Sequence, residues 1–116
     1  MCGIFAIIPK LRNYQFHEDR LQETARLLYH RGPDHAGIYK DDSIAMVQTR
    51  LSLVDLNPRS NQPFWDRQRR YGLVYNGEIY NFMELRKALE AVGVVFRTTP
   101  DSEVLLECIL HHGLER

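Results

Sequence analysis

The chain has 116 residues and a balanced charge, which excludes several functional classes. It carries 15 Lys and Arg residues against 15 Asp and Glu residues, so its formal net charge is zero. This balance provides no overall field for nucleic acid or an anionic membrane. Two cysteines are too few for a disulfide scaffold and predict a reducing, cytoplasmic compartment. No apolar run reaches the roughly 20 residues of a membrane span. We expect one globular domain.

Apolar periodicity and turn signals predict a mixed chain of strands and helices. Short apolar or alternating runs predict strands, and apolar residues three and four apart predict amphipathic helices. In chain order these are a strand at 3–8, a helix at 17–30, strands at 36–40, 43–49 and 51–56, a surface loop at 57–70, a strand at 71–75, a helix at 82–92, a strand at 94–98 and a helix at 101–112. We expect one mixed α/β unit with largely antiparallel sheets.

Two of the predicted helices begin with capping signals. Asn81 followed by Glu84 is a capping-box pattern, with asparagine in the capping role. The last helix follows Thr99-Pro100, and proline is favoured in the first turn of a helix. We therefore expect Thr99 to cap the last helix.

Cys2 is the most informative candidate for chemistry. Removal of the initiator methionine would leave a thiol beside a free α-amino group, and the pKa of an unperturbed α-amine is about 7.7–8.0. That amine can accept the thiol proton, so one residue would supply both nucleophile and base. The alternative is a small buried hydrophobe at the start of a strand, which is the usual role of a free cysteine.

Five further residues suit the recognition of an amide substrate, although Asn76-Gly77, Arg50 and Asp101 have commoner structural explanations. Asn76-Gly77 follows a strand and could offer two donors to an oxyanion, or form a plain hairpin turn. Arg50 could hold a carboxylate by two hydrogen bonds, or lie along the surface. Asp101 with Glu78 could hold an ammonium group, whereas Asp101 alone could merely complement the helix dipole.

The histidines give weaker signals. His30 lies at a helix C-terminus, where histidine commonly complements the dipole. His111 and His112 are adjacent and point to different sides of a helix. No spacing of Cys or His matches a zinc site, so no metal is predicted. Cys108 is interpreted as a structural residue.

Taken together and in order, the motifs resemble the glutaminase domain of glutamine-hydrolysing asparagine synthetase, a class II glutamine amidotransferase. The resemblance runs over essentially the whole chain. The matching blocks are Met1-Cys2-Gly3-Ile4-Phe5, His30-Arg31-Gly32-Pro33-Asp34, Arg50-Leu51-Ser52-Leu53-Val54-Asp55, Tyr75-Asn76-Gly77-Glu78-Ile79-Tyr80-Asn81 and Asp101-Ser102-Glu103-Val104. Five blocks in the same order are far more specific than any one of them.

The resemblance implies an α+β fold of the N-terminal-nucleophile hydrolase type. This is a four-layer αββα sandwich with mainly antiparallel sheets. It also implies that residues 1–116 are the N-terminal portion of a type 2 glutamine amidotransferase domain. That domain would be incomplete at its C-terminus, and the synthetase domain is absent.

The resemblance further implies roles for individual residues. Cys2 would attack the side-chain amide of glutamine and form a thioester, releasing ammonia and then glutamate. Asn76 and Gly77 resemble the oxyanion hole, and Arg50 resembles the clamp on the α-carboxylate. The α-ammonium group would be held by Asp101 with Glu78.

A second set of residues resembles the segment that lines the glutamine pocket, partly through backbone contacts. These residues are Leu51, Leu53 and Val54. The turn from Arg31 to Asp34 resembles a structural turn near the active site, and no catalytic role is assigned to it.

The implied partners are glutamine and a C-terminal synthetase domain, in cis or as a separate chain, and a homodimer is left open. No cofactor is expected in this chain, whereas ATP and Mg²⁺ would serve the synthetase domain, which activates aspartate. Two alternatives stay open. The chain could be an inert amidotransferase-like module for binding or assembly, or a glutaminase domain that serves a different acceptor.

Overall fold

The computed structural model describes residues 2–11, 13–51 and 57–114. Within these ranges the chain forms three helices, five strands and two short 3-10 turns, and both sheets are antiparallel, as predicted. The elements are β1 (Gly3–Ile7), α1 (Glu18–Leu27), a 3-10 turn (Tyr29–Arg31), β2 (His35–Lys40), β3 (Ala45–Arg50), a second 3-10 turn (Pro58–Ser60), β4 (Phe64–Trp65), β5 (Gly72–Leu73), α2 (Phe82–Ala91) and α3 (Asp101–His112).

The larger sheet has the strand order β1-β3-β2, so β3 lies in the centre and all six of its residues are buried. One face of this sheet packs against α1, where Leu21 and Ala25 contact Ala45 and Val47. Because side chains alternate along a strand, Gln48 and Arg50 point to the other face. This opposite face carries the candidate site.

A hairpin joins β2 to β3 through residues 41–44, so the second strand begins two residues later than predicted. The Asp41 carboxylate accepts hydrogen bonds from the backbone N–H groups of Ser43 at 2.7 Å and Ile44 at 2.9 Å. Tyr39 donates its hydroxyl to the same carboxylate at 2.8 Å. The turn therefore uses an aspartate side chain in place of backbone partners.

The loop predicted at 57–70 is wrong in part, because it contains β4, which pairs with β5. The predicted strand at 71–75 shortens to β5 because the Tyr75 N–H donates to the side chain of Gln62 instead of to a partner strand. The Asp66 carboxylate closes the intervening turn by accepting from the N–H groups of Arg70 and Tyr71. The strand predicted at 51–56 lies outside the described residues, apart from Leu51.

The strand predicted at 94–98 is wrong, and the buried Glu103 explains why. The N–H groups of Arg97 and Thr98 donate to the Glu103 carboxylate at 3.0 and 2.7 Å, so they are not available to a sheet. The cap predicted at Thr99 is also wrong, because Pro100 occupies the N-cap position of α3.

The helices otherwise agree with their predictions to within a few residues. The first helix is shorter than predicted because its last turn is the 3-10 turn, and Asn81 is the N-cap of α2 without a side-chain capping bond. In the described part of the chain, no helix is long and apolar enough to cross a membrane.

Candidate active site

A cavity of about 450 Å³ lies on the sheet face opposite α1. This volume is within the range of small-molecule sites. Seven of the predicted site residues line it, and they come from four separate segments of the chain. They are Cys2, Arg50, Leu51, Asn76, Gly77, Glu78 and Asp101. The other two predicted residues, Leu53 and Val54, lie outside the described residues.

Cys2 and Arg50 form the part of the wall that belongs to the larger sheet. Gly3 pairs with Thr49 in the antiparallel register of β1 and β3. Cys2 precedes Gly3 and Arg50 follows Thr49, so the register brings Cys2 and Arg50 to neighbouring positions on one face. Cys2 is half-buried, and its thiol belongs to the cavity wall.

The turn after α1 fixes the backbone of both residues. Arg31 donates from Nε to the Cys2 carbonyl at 3.2 Å, and the Asp34 N–H donates to the Arg50 carbonyl at 3.0 Å. Gly32 lies directly against this backbone, because a Cβ on Gly32 would be 2.6 Å from the Arg50 carbonyl carbon. Only glycine permits such an approach. The turn therefore positions the cavity wall.

The Arg50 side chain is oriented within the wall, with only 8% of the residue exposed. Its Nη1 donates to the Asn61 Oδ1 at 2.7 Å. Burial, together with the charge of Arg50, lowers the pKa of His35 on the neighbouring strand. A guanidinium has five N–H donors in a planar arrangement that suits a carboxylate.

Residues 75–79 form another part of the wall and are held at two points. The Tyr75 N–H donates to Gln62 Oε1, and the Ile79 N–H donates to Asp101 Oδ2 at 2.9 Å. Gly77 lies under the Tyr75 ring, where a Cβ would be 2.7 Å from the phenol oxygen. A side chain at this position would displace the ring, which explains the glycine.

Negative charge is concentrated in this second part of the wall. Burial, with the nearby carboxylates of Asp101 and Glu78, raises the pKa of the Tyr75 phenol. The cavity therefore has two carboxylates contributed by residues 78 and 101 and a guanidinium contributed by β3. This arrangement matches a ligand that carries one cationic and one anionic group.

The other candidates from the sequence lie elsewhere. His30, His111 and His112 do not line the cavity. Cys108 lies within α3, where burial and then the charge of Glu107 raise the pKa of its thiol. The two cysteines therefore occupy different environments.

Sequence reasoning missed several residues that build the site. Gln62 holds its backbone, and Gln48 and Tyr75 line the cavity. The turn from Arg31 to Asp34 was expected near the site, but without the bond from Arg31 to the Cys2 carbonyl. Gln48 had at most a weak signal, since it is one of three polar residues in a strand that is buried throughout. The contacts of Arg31 and Gln62 join segments that are distant in sequence, so no local pattern predicts them.

Comparison with known proteins identifies a consistent set of relatives. The family model described as "Glutamine amidotransferase domain" matches residues 1–116. The chain is 36% identical over 117 residues to asparagine synthetase [glutamine-hydrolyzing] 1 of Bacillus subtilis, covering 99% of this chain and 18% of that protein. It is 37% identical over 115 residues to asparagine synthetase B [glutamine-hydrolyzing] of Escherichia coli, covering 99% of this chain and 20% of that protein. The chain thus spans about a fifth of the length of these curated relatives.

Proposed function

The chain belongs to the glutamine amidotransferase family, and we propose that it hydrolyses glutamine to glutamate and ammonia with the Cys2 thiol as nucleophile. The observation that carries this proposal is the composition of the cavity. The cavity is lined by a cysteine, an arginine, two acidic residues and an asparagine-glycine pair. These groups match the parts of glutamine: the scissile amide, the α-carboxylate and the α-ammonium.

The charges at the cavity bind the ends of the substrate. The Arg50 guanidinium takes the α-carboxylate through paired N–H donors. Asp101 and Glu78 take the α-ammonium, and Asp101 retains acceptor capacity beyond its bond to the Ile79 N–H. Because free glutamine has no net charge, placed charges rather than an overall field provide its recognition.

The reaction begins once Met1 is removed and the Cys2 α-amine is free. The amine takes the thiol proton as the sulfur attacks the side-chain carbonyl carbon. The proton passes to the leaving nitrogen, so the carbon–nitrogen bond breaks, ammonia departs and a thioester remains. Water, deprotonated by the same amine, attacks the thioester; the proton returns to the sulfur, and glutamate leaves.

Asn76 and Gly77 stabilise the oxyanion that forms in both steps. The side-chain N–H of Asn76 and the backbone N–H of Gly77 donate to the carbonyl oxygen as it gains charge. Asn76 and Gly77 line the same cavity as Cys2, which supports this role. Leu51, with Leu53 and Val54, lines the pocket in this proposal.

At the level of the whole protein, we propose an N-terminal-nucleophile αββα domain, with residues 1–116 as the N-terminal portion of its amidotransferase part. The ammonia would pass to a synthetase domain that activates aspartate with ATP and Mg²⁺ in the cytoplasm. The names of the relatives and their greater length support this proposal. The described residues contain no group of three or more His, Cys, Asp and Glu that could hold a metal ion.

Glutamate release from glutamine tests the proposed function on the complete protein. We expect the wild type to release glutamate and Cys2→Ala to release none above background. Cys108→Ala is the matched control, since it removes the other cysteine and should retain activity. A variant with an extra residue before Cys2 should also be inactive, because its α-amine is blocked. Equal rates for wild type and Cys2→Ala would show that the proposal is wrong.

A further inference from the structure

The side chain of Gln48 is buried without a hydrogen-bond partner. Its exposed fraction is 0%, and neither Nε2 nor Oε1 has a partner among the residues that the structure describes. Buried carboxamides in folded proteins are nearly always paired, and an unpaired one destabilises the fold. Gln48 therefore requires an explanation beyond packing.

None of the described residues around Gln48 hydrogen-bonds with its carboxamide. Its neighbours along β3 are Val47 and Thr49, and Met46 and Arg50 lie on the same face, one pleat away on either side. An apolar side chain of the same length would fill this space and avoid the cost of an unpaired amide. The carboxamide is thus unfavourable for the fold unless a ligand completes its hydrogen bonds.

The position of Gln48 indicates where such a ligand lies. Gln48 lines the cavity and is opposite Ile4 in the register of β1 and β3. Cys2 lies two residues before Ile4 on the same face, which makes it the diagonal neighbour of Gln48. Diagonal neighbours are about 7–8 Å apart and are within reach of long side chains. Gln48 therefore lies beside the thiol end of the cavity.

One part of the substrate has no partner in the proposed function. Arg50 takes the α-carboxylate, Asp101 and Glu78 take the α-ammonium, and Asn76 with Gly77 take the carbonyl oxygen. The leaving –NH₂ group, with two N–H donors, is held beside the thiol with no acceptor assigned to it. A carboxamide oxygen is the complementary group.

We propose that Gln48 is a specificity-determining residue whose Oε1 accepts a hydrogen bond from the leaving –NH₂ group of glutamine. This inference rests on the proposed function, since it takes glutamine as the substrate. Gln48 orients the amide over Cys2 and distinguishes a carboxamide from an ester of the same shape, which has no N–H to donate.

The test compares glutamine with the γ-methyl ester of glutamate in the complete protein. Both substrates form the same thioester, and kcat/KM reports the steps up to it. In Gln48→Met, which keeps the length of the side chain but removes its acceptor, we expect kcat/KM to fall about tenfold for glutamine and to stay unchanged for the ester. The melting temperature should stay the same or rise, because an unpaired polar group is removed.

Thr49→Val is the matched control on the adjacent residue. The Thr49 hydroxyl donates to the Leu28 carbonyl at 3.0 Å on the other face of the sheet, so this variant should lower the melting temperature and leave the ratio of the two substrates unchanged. If Gln48→Met does not fold, Gln48→Asn, which withdraws the carboxamide by one methylene, should shift the same ratio.

Two results would overturn the inference. One is an unchanged kcat/KM for glutamine in Gln48→Met. The other is an equal loss of kcat/KM for glutamine and for the ester, which would indicate that Gln48 contributes only by packing. Failure of the proposed function is distinguishable, because wild type would then hydrolyse glutamine no faster than Cys2→Ala, whatever residue occupies position 48.

Discussion

Two buried polar side chains, Glu103 and Gln48, differ in their hydrogen bonding: Glu103 has several partners and Gln48 has none among the described residues. Both have an exposed fraction of 0%. Glu103 accepts hydrogen bonds from the N–H groups of Arg97 and Thr98 and from the Thr98 hydroxyl, and its Oε1 is 3.5 Å from Arg97 Nε. Gln48 has no partner within the part of the chain that is described. Burial alone therefore does not distinguish a structural polar group from a functional one.

The difference lies in what each side chain faces. Glu103 faces the segment that leads into α3, and its carboxylate replaces the sheet hydrogen bonds that this segment would otherwise need. Gln48 faces a cavity that contains a thiol. We infer that polar groups satisfied within the chain maintain the fold, whereas those left open toward the cavity serve its ligand. The predictions below test this distinction.

The largest expected effect is on the cavity side, at Asn76. Replacing Asn76 with alanine removes an oxyanion donor, and such losses reduce kcat by about 10²–10³-fold. Steady-state glutamate release measures this change. Asn81→Ala is the control, because Asn81 lies on the same segment and makes no side-chain capping bond. Equal activity in the two variants would contradict the role of Asn76.

Glu103→Gln tests the structural side of the comparison. The substitution places an –NH₂ group against N–H and O–H donors, so we expect a loss of about 3 kcal/mol in the free energy of unfolding. Urea denaturation measures it. Glu90→Gln is the control: it removes an exposed pair with Arg86 and should cost at most about 1 kcal/mol. Similar losses in both variants would refute the structural importance of Glu103.

Arg31 combines the two roles, because its side chain is structural but the backbone that it contacts belongs to Cys2. Arg31→Met should lower kcat for glutamine about tenfold, with a smaller change in KM, because the backbone of Cys2 loses the bond that positions it. Arg26→Met, on the exposed side of α1, serves as the control. A rise in KM without a fall in kcat would contradict this account.

The smallest effect is expected at the exposed hairpin of Asp41. The Ser43 N–H and the Tyr39 hydroxyl lower the pKa of the Asp41 carboxyl below its usual value of 3.8. A lowered folded-state pKa stabilises the protein above pH 3.8, and this contribution is lost as the pH falls through the folded-state pKa. The melting temperature of Asp41→Asn should therefore be slightly below that of the wild type at neutral pH. This difference should disappear at low pH. A difference that persists at low pH would contradict the prediction.

The sequence predicted the elements whose signals are local. The apolar run of β1 and the periodicity of α3 depend on neighbouring residues, and the structure agrees with them. The strand expected at 94–98 failed because the N–H groups of residues 97 and 98 bind the Glu103 carboxylate. That competition depends on a side chain of the next helix, which a strand propensity does not include.

The site was predictable to the extent that the motifs specified it. Arg50, Asn76 and Asp101 came from motifs, and the structure brings them to one cavity with Cys2. The positions of Arg31 and Gln62 depend on contacts between distant segments. In the sequence, Gln48 is only one of three polar residues in β3, and its lack of a hydrogen-bond partner is visible only in the three-dimensional structure.

Mass spectrometry after a rapid acid quench tests the central claim most directly. The complete protein is mixed with glutamine, quenched and digested, and the mass of its N-terminal peptide is measured. Our account predicts that Met1 is absent and that a γ-glutamyl group is attached to the Cys2 sulfur, with no adduct on Cys108. Release of glutamate by a protein that retains Met1, or an adduct that persists in Cys2→Ala, would contradict it.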